Sequence, residues 1–314
     1  MEDHDQAHER VSGTDAALKK RLIVSASFTA IIFIAELAGG YYFNSLALMT
    51  DSAHVFMDVF ALALSWFAIR ISELAPTQKR TFGLHRVEVF VSFLNSLSLF
   101  VITLFIFYKA YERTLSPEPV DAGGTLVIAI IGLAVNVIVA LWLMRYAVRD
   151  LNVKSAYVHV VGDAAASVGV IIAAIIIRFT GWYAVDPVIS IFICLIIIYS
   201  AYKIIRDSSN ILLEGVPAGV DLTSVVADIK SVEGVESVHS VHIWSICHNV
   251  YALSAHVDIT PEHRWRMGEI FSAVNERLAQ TYHIFYTTLQ AECLGCEQGG
   301  VLRRLLHKEH NHNH

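Results

Sequence analysis

The chain has 314 residues, of which 55% are hydrophobic and only 17% charged, less charge than an ordinary soluble protein carries. The formal net charge of −6 argues against nucleic acid as a partner. Together these exclude a wholly water-exposed fold and point to a chain partly immersed in lipid.

Residues 1–16 are polar, include His4 and His8, and are expected to be a disordered cytoplasmic segment. Six apolar stretches follow, at 22–43, 46–71, 87–108, 123–144, 156–177 and 185–205. Each runs for about 20 residues, the length that crosses a core about 30 Å thick. The first is too long for the core of a cleavable signal, and no small-x-small cleavage site follows it. Lys19, Lys20 and Arg21 precede the first stretch. Arg70, Lys79, Arg80 and Arg86 follow the second, Arg145, Arg149 and Lys154 the fourth, and Lys203 and Arg206 the sixth. The opposite side has only Lys109, Arg113 and Arg178, so both termini are expected in the cytoplasm.

Within the second stretch, His54 and Asp58 form an H-x-x-x-D tetrad; His159 and Asp163 repeat it within the fifth. The i,i+4 spacing puts both members of each pair on one helix face. At about 1.5 Å per residue each pair lies roughly 12–18 Å into the bilayer, so both approach the midplane. Ionisable groups at that depth are costly and point to function. Two imidazoles and two carboxylates suit a four-coordinate site for a divalent cation. The alternative is a pair of structural hydrogen bonds between helices. Asp51 shares the face of His54 and reads either as a vestibule carboxylate or as a helix-entry charge. Glu36 in the first stretch reads as a proton-handling group or a buried hydrogen-bond partner. Asp186, before Pro187, reads as an N-cap. Cys194 lies in an apolar stretch and reads as packing.

From residue 207 the chain is polar. Helical periodicity covers 220–232, β-branched residues crowd 235–247, a second strand covers 251–259, Pro261 can open a helix over 261–282, and a third strand covers 285–293. The order αββαβ suits a small α+β domain over 207–297. If residues 248–250 form a three-residue loop, Cys247 faces Tyr251 and His242 faces His256, a separation that suits two ligands of one metal. Cys247, Cys293 and Cys296 lie in a compartment where disulfides are rare. Residues 298–314 form a flexible tail ending in HKEHNHNH, which reads as a loose metal-binding tract or as a spare polar tail.

These segments resemble a known family. NSLALMTDSAHVFMDV, FGLHRVEVF, SAYVHVVGDAAASVGV, VHSVHIWS, LSAHVDI and CLGC are similar to the motifs of the cation diffusion facilitators, specifically the zinc-preferring branch. The resemblance covers nearly the whole chain. It implies an α-helical membrane protein with six transmembrane helices and a cytoplasmic, ferredoxin-like or metallochaperone-like domain. It further implies a homodimer in the lipid bilayer that exchanges zinc for protons, with cadmium or cobalt as further substrates. The role implied is zinc homeostasis and heavy-metal resistance. By motif, His54, Asp58, His159 and Asp163 are the transport-site ligands. Manganese-selective relatives begin both tetrads with aspartate, so histidine at both favours zinc. His242 and His256 match ligands of the soluble domain, Glu292 falls where a carboxylate is expected, and Cys293 with Cys296 could complete that site as thiolates. Gln290 stands where some relatives carry histidine. His239, His248, His263 and His283 read as surface residues.

The chain departs from many eukaryotic relatives in the short connection over 145–154, and resembles compact bacterial proteins of the inner membrane instead. The loop after the second stretch offers only His85, which reads as structural. No HExxH marks a membrane metalloenzyme. The expectation is therefore a transporter, not an enzyme, with no prosthetic group. A metalloenzyme, a cation channel or a metal sensor are the other classes.

Overall fold

A computed structural model describes residues 27, 29–72, 74–147, 151–292 and 301. Among these, two compact units form, one within Met1–Trp66 and Leu94–Ile205, the other within Phe67–Phe93 and Arg206–His314.

The first unit is helical. Its helices are α1 (Thr29–Tyr42), α2 (Leu46–Ser72), α3 (Arg86–Leu115), α4 (Ala122–Ala147), α5 (Leu151–Thr180) and α6 (Val185–Leu212), of which α2 and α6 end, and α3 begins, in the second unit. Among the described residues, four segments are long and apolar enough to cross a bilayer: Arg86–Leu115, Ala122–Trp142, Val160–Thr180 and Val185–Leu212. The protein is thus an integral, multi-pass membrane protein. Large apolar side chains face outward: Phe105 and Phe192 are each 63% exposed and Ile138 is 65% exposed. In water such a surface would be a liability, whereas hydrocarbon is its natural solvent.

The helices overrun the apolar stretches that mark them. The stretch at 87–108 belongs to a helix that continues to Leu115, where Lys109 Nζ and Glu112 Oε2 pair at 2.9 Å one turn apart. Helix α6 continues through the polar run Arg206–Asn210 to Leu212. Hydropathy measures the immersed part of a helix, while backbone hydrogen bonding carries it on into water. Small residues let the helices approach closely. Ala47, Leu48, Met57, Leu99, Ala129, Val170, Ile193 and Ala201 form one buried cluster shared by α2 to α6.

The soluble part of the second unit has the order α7 (Leu222–Lys230), β1 (Val235–Cys247), β2 (Val250–Ile259), a 3-10 turn at Pro261–Arg266, α8 (Met267–Tyr282) and β3 (Ile284–Glu292). Asp221 caps α7, its Oδ2 accepting from Ser224 Oγ and from Ser224 N, each at 2.8 Å, which holds the carboxyl below its ordinary pKa. Pro261 opens the 3-10 turn, and the α-helix proper begins at Met267. The sheet order is β1-β2-β3, with β1 antiparallel to β2 and β2 parallel to β3. The parallel pair requires a crossover, and α8 supplies it. Val225, Ile229, Leu253, Val257, Val274, Leu278 and Ile284 form the core between helices and sheet. Tyr282 Oη donates to Asp228 Oδ2 at 2.6 Å, tying α8 to α7; burial and this bond push its pKa up to about 12.

The strand register differs from the expected one by three residues at the first histidine. The loop is two residues long, so Cys247 pairs with Val250; Asn249 takes φ 58°, a conformation that asparagine tolerates. An irregularity between Ser245 and Cys247 then shifts the pairing by one residue. A bulge between His239 and His242, with Ser240 at φ 50°, shifts it by one more. His239, not His242, therefore faces His256, and His242 faces Ser254.

Candidate metal centres

In the membrane unit, the histidine-bearing face of α2 is positioned from its N-terminus. Asp186 of α6 accepts from Ser45 Oγ at 2.5 Å and Leu46 N at 2.7 Å, and from Ala47 N at 3.4 Å. It is a cap, as the sequence indicates, but of a helix about 140 residues earlier rather than its own. The buried carboxylate satisfies amides that hydrocarbon could not.

His54 on α2 and Asp163 on α5 then meet, Nε2 to Oδ1 at 4.0 Å. A single ion with bonds of about 2.0–2.1 Å can bridge such a pair. His54 keeps 22% of its side chain accessible and Asp163 5%, so the imidazole is the more reachable partner. Asp58 and His159 lie on the same two helices, but their side chains fall outside the described residues.

Two further carboxyls lie buried in this unit. Asp51, 2% exposed, accepts from Ser167 Oγ at 3.4 Å, and its Oδ1 has no hydrogen-bond partner among the described residues. Ser167 stands one turn after Asp163 on α5, so Asp51 belongs to the same neighbourhood. Glu36 on α1 is 1% exposed, and its Oε2 likewise has no hydrogen-bond partner among the described residues. A Cβ on Gly132 of α4 would lie 2.5 Å from Glu36 Oε1, so glycine is what admits this carboxyl.

The second centre lies on the sheet. His256 Nδ1 is 2.6 Å from Glu292 Oε1, and His239 Nε2 is 3.1 Å from Glu292 Oε2. One ligand atom from each of the three residues lies within 4.8 Å of the others. Two imidazoles and a carboxylate, on elements fixed by hydrogen-bonded pairing, suit zinc. Asp258 Oδ2 stands 3.5 Å from His239 Nδ1 and accepts from Ser237 Oγ, so the ring is backed by a carboxylate that can fix its tautomer. Gln290 Nε2 donates to Glu292 Oε1 at 3.1 Å, an orienting contact rather than ligation.

Of the expected set His242, His256 and Glu292, the structure brings together His256 and Glu292, with His239 beside them where His242 was expected. His239 is 7% exposed, not a surface residue, whereas His242 is exposed on the other side of the bulge. The asparagine at 249 signals a two-residue loop; the bulge at Ser240 has no counterpart in composition. Cys293 and Cys296 lie outside the described residues. The Cys247 thiol is buried, which pushes its pKa up, so it is a poor metal ligand.

Comparison with known proteins agrees with both halves. The model of the cation efflux transmembrane domain matches residues 22–213, and that of the cation efflux protein cytoplasmic domain matches residues 217–293. The chain belongs to the cation efflux family. It is 38% identical over 296 residues to the metal cation efflux system protein CzcD of Cupriavidus metallidurans, covering 93% of this chain and 91% of the relative. Zinc transporter ZitB of Escherichia coli is 33% identical over 296 residues, with 93% of each chain covered. The cadmium, cobalt and zinc/H(+)-K(+) antiporter of Bacillus subtilis is 34% identical over 305 residues, covering 96% of this chain and 98% of that one. As a cation efflux protein, the chain is a transporter of divalent metal ions.

Proposed function

We propose that this protein exports Zn²⁺ from the cytoplasm in exchange for protons, by alternating access, and takes Cd²⁺ or Co²⁺ at the same site. The observation that carries this reading is the meeting of His54 and Asp163. It joins one member of each tetrad, from residues about 100 apart in the chain. The names of its relatives, a zinc transporter and a cadmium, cobalt and zinc antiporter, support the choice of cargo.

His54, Asp58, His159 and Asp163 would hold the ion. Binding needs neutral imidazoles and ionised carboxylates, so loading Zn²⁺ from the cytoplasm displaces protons. Two imidazoles favour zinc over harder ions that prefer oxygen alone. On the outer side protons compete for imidazoles, a group that titrates near neutrality. An outward double charge opposes the membrane potential by about 2.3 kcal/mol per charge per 100 mV, and inward protons offset this. Asp51 and Glu36, each buried with one oxygen unpaired among the described residues, would take up protons beside the ion path.

The domain reading is a six-span transport domain over 17–206 and a ferredoxin-like cytoplasmic domain over 207–297 that binds metal and pairs two copies, flanked by 1–16 and 298–314. The αββαβ order and mixed sheet support the second domain. The Lys and Arg bias supports cytoplasmic termini in a bacterial inner membrane. His239, His256 and Glu292, completed by Cys293 and Cys296, would hold a zinc that tunes transport without lying on its path. Zinc uptake into vesicles carrying the purified protein under an imposed pH gradient tests this function. Uptake that ignores the gradient would rule out proton exchange.

A further inference from the structure

The second unit contains a cleft of about 920 Å³ that neither metal centre uses. One wall is the loop that joins α2 to α3, from Lys79 to Val87; the other is Glu214 to Val216 and the outer part of β1. The charged lining consists of Lys79, Arg80, Arg86 and Glu214, with His85 and His242 beside them. Arg86 Nη2 is committed to Glu214 Oε1 at 3.0 Å. Lys79 and Arg80 have no carboxylate partner among the described residues, so the mouth keeps two free positive charges. The remaining lining is mostly apolar, with Phe82, Val216, Val241, Ile243, Trp244 and Ile246, beside the hydroxyls of Thr81 and Ser254.

From this combination we infer that the cleft binds the headgroup and glycerol region of an anionic phospholipid. Three observations converge on an amphiphile. The two free cations suit a phosphodiester. The apolar floor suits the first carbons of acyl chains, which a sugar phosphate or inorganic phosphate would leave uncovered. The place is the third: Arg86 opens the apolar helix Arg86–Leu115, so the cleft lies where α3 enters the bilayer. Phe82, 56% exposed, and Leu74, 58% exposed, stand on the same loop, as apolar residues do at a membrane interface.

Residues 2–15 of this chain offer a rival anion, with Glu2, Asp3, Asp5, Glu9 and Asp15. That segment has few apolar side chains and would not cover the floor. The lipid fits both walls. Bound there, it would link the loop after α2 to β1, giving the lipid composition of the inner leaflet a hold on the soluble domain.

Native mass spectrometry of the delipidated full-length protein tests this, using phosphatidylglycerol and phosphatidylcholine with identical chains. The expected result is preferential retention of phosphatidylglycerol. Lys79→Gln with Arg80→Gln should weaken that lipid about 25-fold, at about fivefold per surface charge removed. It should leave phosphatidylcholine unchanged. Lys79→Arg with Arg80→Lys should bind as the wild type does, and Lys109→Gln on α3 should change nothing. Equal retention by the Gln pair, or equal loss in the charge-preserving pair, would overturn the proposal. Glycerol 3-phosphate displacing the lipid at its own affinity would assign the cleft to a soluble anion instead. A large gain in lipid binding on deleting residues 2–16 would assign it to that segment. None of these readouts depends on zinc movement, so the result stands apart from the transport reading.

Discussion

The two candidate metal centres draw on the same residue types but are reached differently from the sequence: His54 and Asp163 of the two helical tetrads meet, whereas His256 faces His239, three residues from the expected His242. In the membrane, the pairs His54/Asp58 and His159/Asp163 owe their shared faces to helix geometry, which is local and repeats every turn. Nothing downstream can alter it. On the sheet, the partner of His256 depends on every residue between it and the turn. A loop shorter by one and two irregularities move the pairing from His242 to His239. Helical motifs can be trusted by spacing; strand motifs need the register, which accumulates errors.

That contrast can be broken first at the membrane site. Asp58→Ala or Asp163→Ala should abolish zinc transport, because either would remove charge and a ligand from the proposed four-ligand site, which has none to spare. The loss should exceed the roughly 10–100-fold that removal of a merely supporting partner brings. Normal flux in either variant, in protein that still inserts, would end the four-ligand account. His54→Asp combined with His159→Asp should weaken zinc and cadmium transport and admit some Mn²⁺, since only oxygen ligands remain. Unchanged zinc preference would move selectivity elsewhere.

In full-length protein whose transport site is removed by Asp163→Ala, zinc titration should still report the soluble domain. There, His239→Ala should reduce affinity by about 100-fold or more, and Asp258→Asn by about tenfold, as expected of a ligand and its backing carboxylate. His242→Ala should leave affinity unchanged. If His242→Ala had the larger effect, the bulged register would be wrong. Cys293→Ser with Cys296→Ser should weaken binding and blunt the response to low cytosolic zinc while leaving flux at high zinc.

The smallest effect belongs to the bulge itself. Ser240 holds φ 50°, a conformation that disfavours side chains by about 1–2 kcal/mol. Ser240→Gly should therefore raise the stability of the soluble domain by about 1 kcal/mol in chemical denaturation, with zinc affinity preserved. A loss of stability would mean that the serine side chain does more here than the backbone conformation costs.

Much of the fold could be read in advance because its signals are local. The apolar stretches mark α2 to α6, and alternating β-branched residues mark β1. What escaped depends on distant partners. The polar extension of α6 to Leu212 carries no hydropathy signal. Asp186 looked like the cap of its own helix, and only the packing of α6 against α2 shows which amides it satisfies. His239 was hidden because the loop is one residue shorter than expected and two irregularities shift the pairing further, one of them beside Ser240 in the left-handed conformation.

On the proposed reading, zinc and protons exchange through one site shared by α2 and α5. The most direct measurement loads vesicles containing the purified protein with a pH-sensitive dye and applies a zinc gradient without membrane potential. Zinc should drive a counter-movement of protons that stops when protons are clamped and disappears in Asp163→Ala. Zinc movement with no proton movement, or exchange at the wild-type rate in Asp163→Ala, would contradict the account.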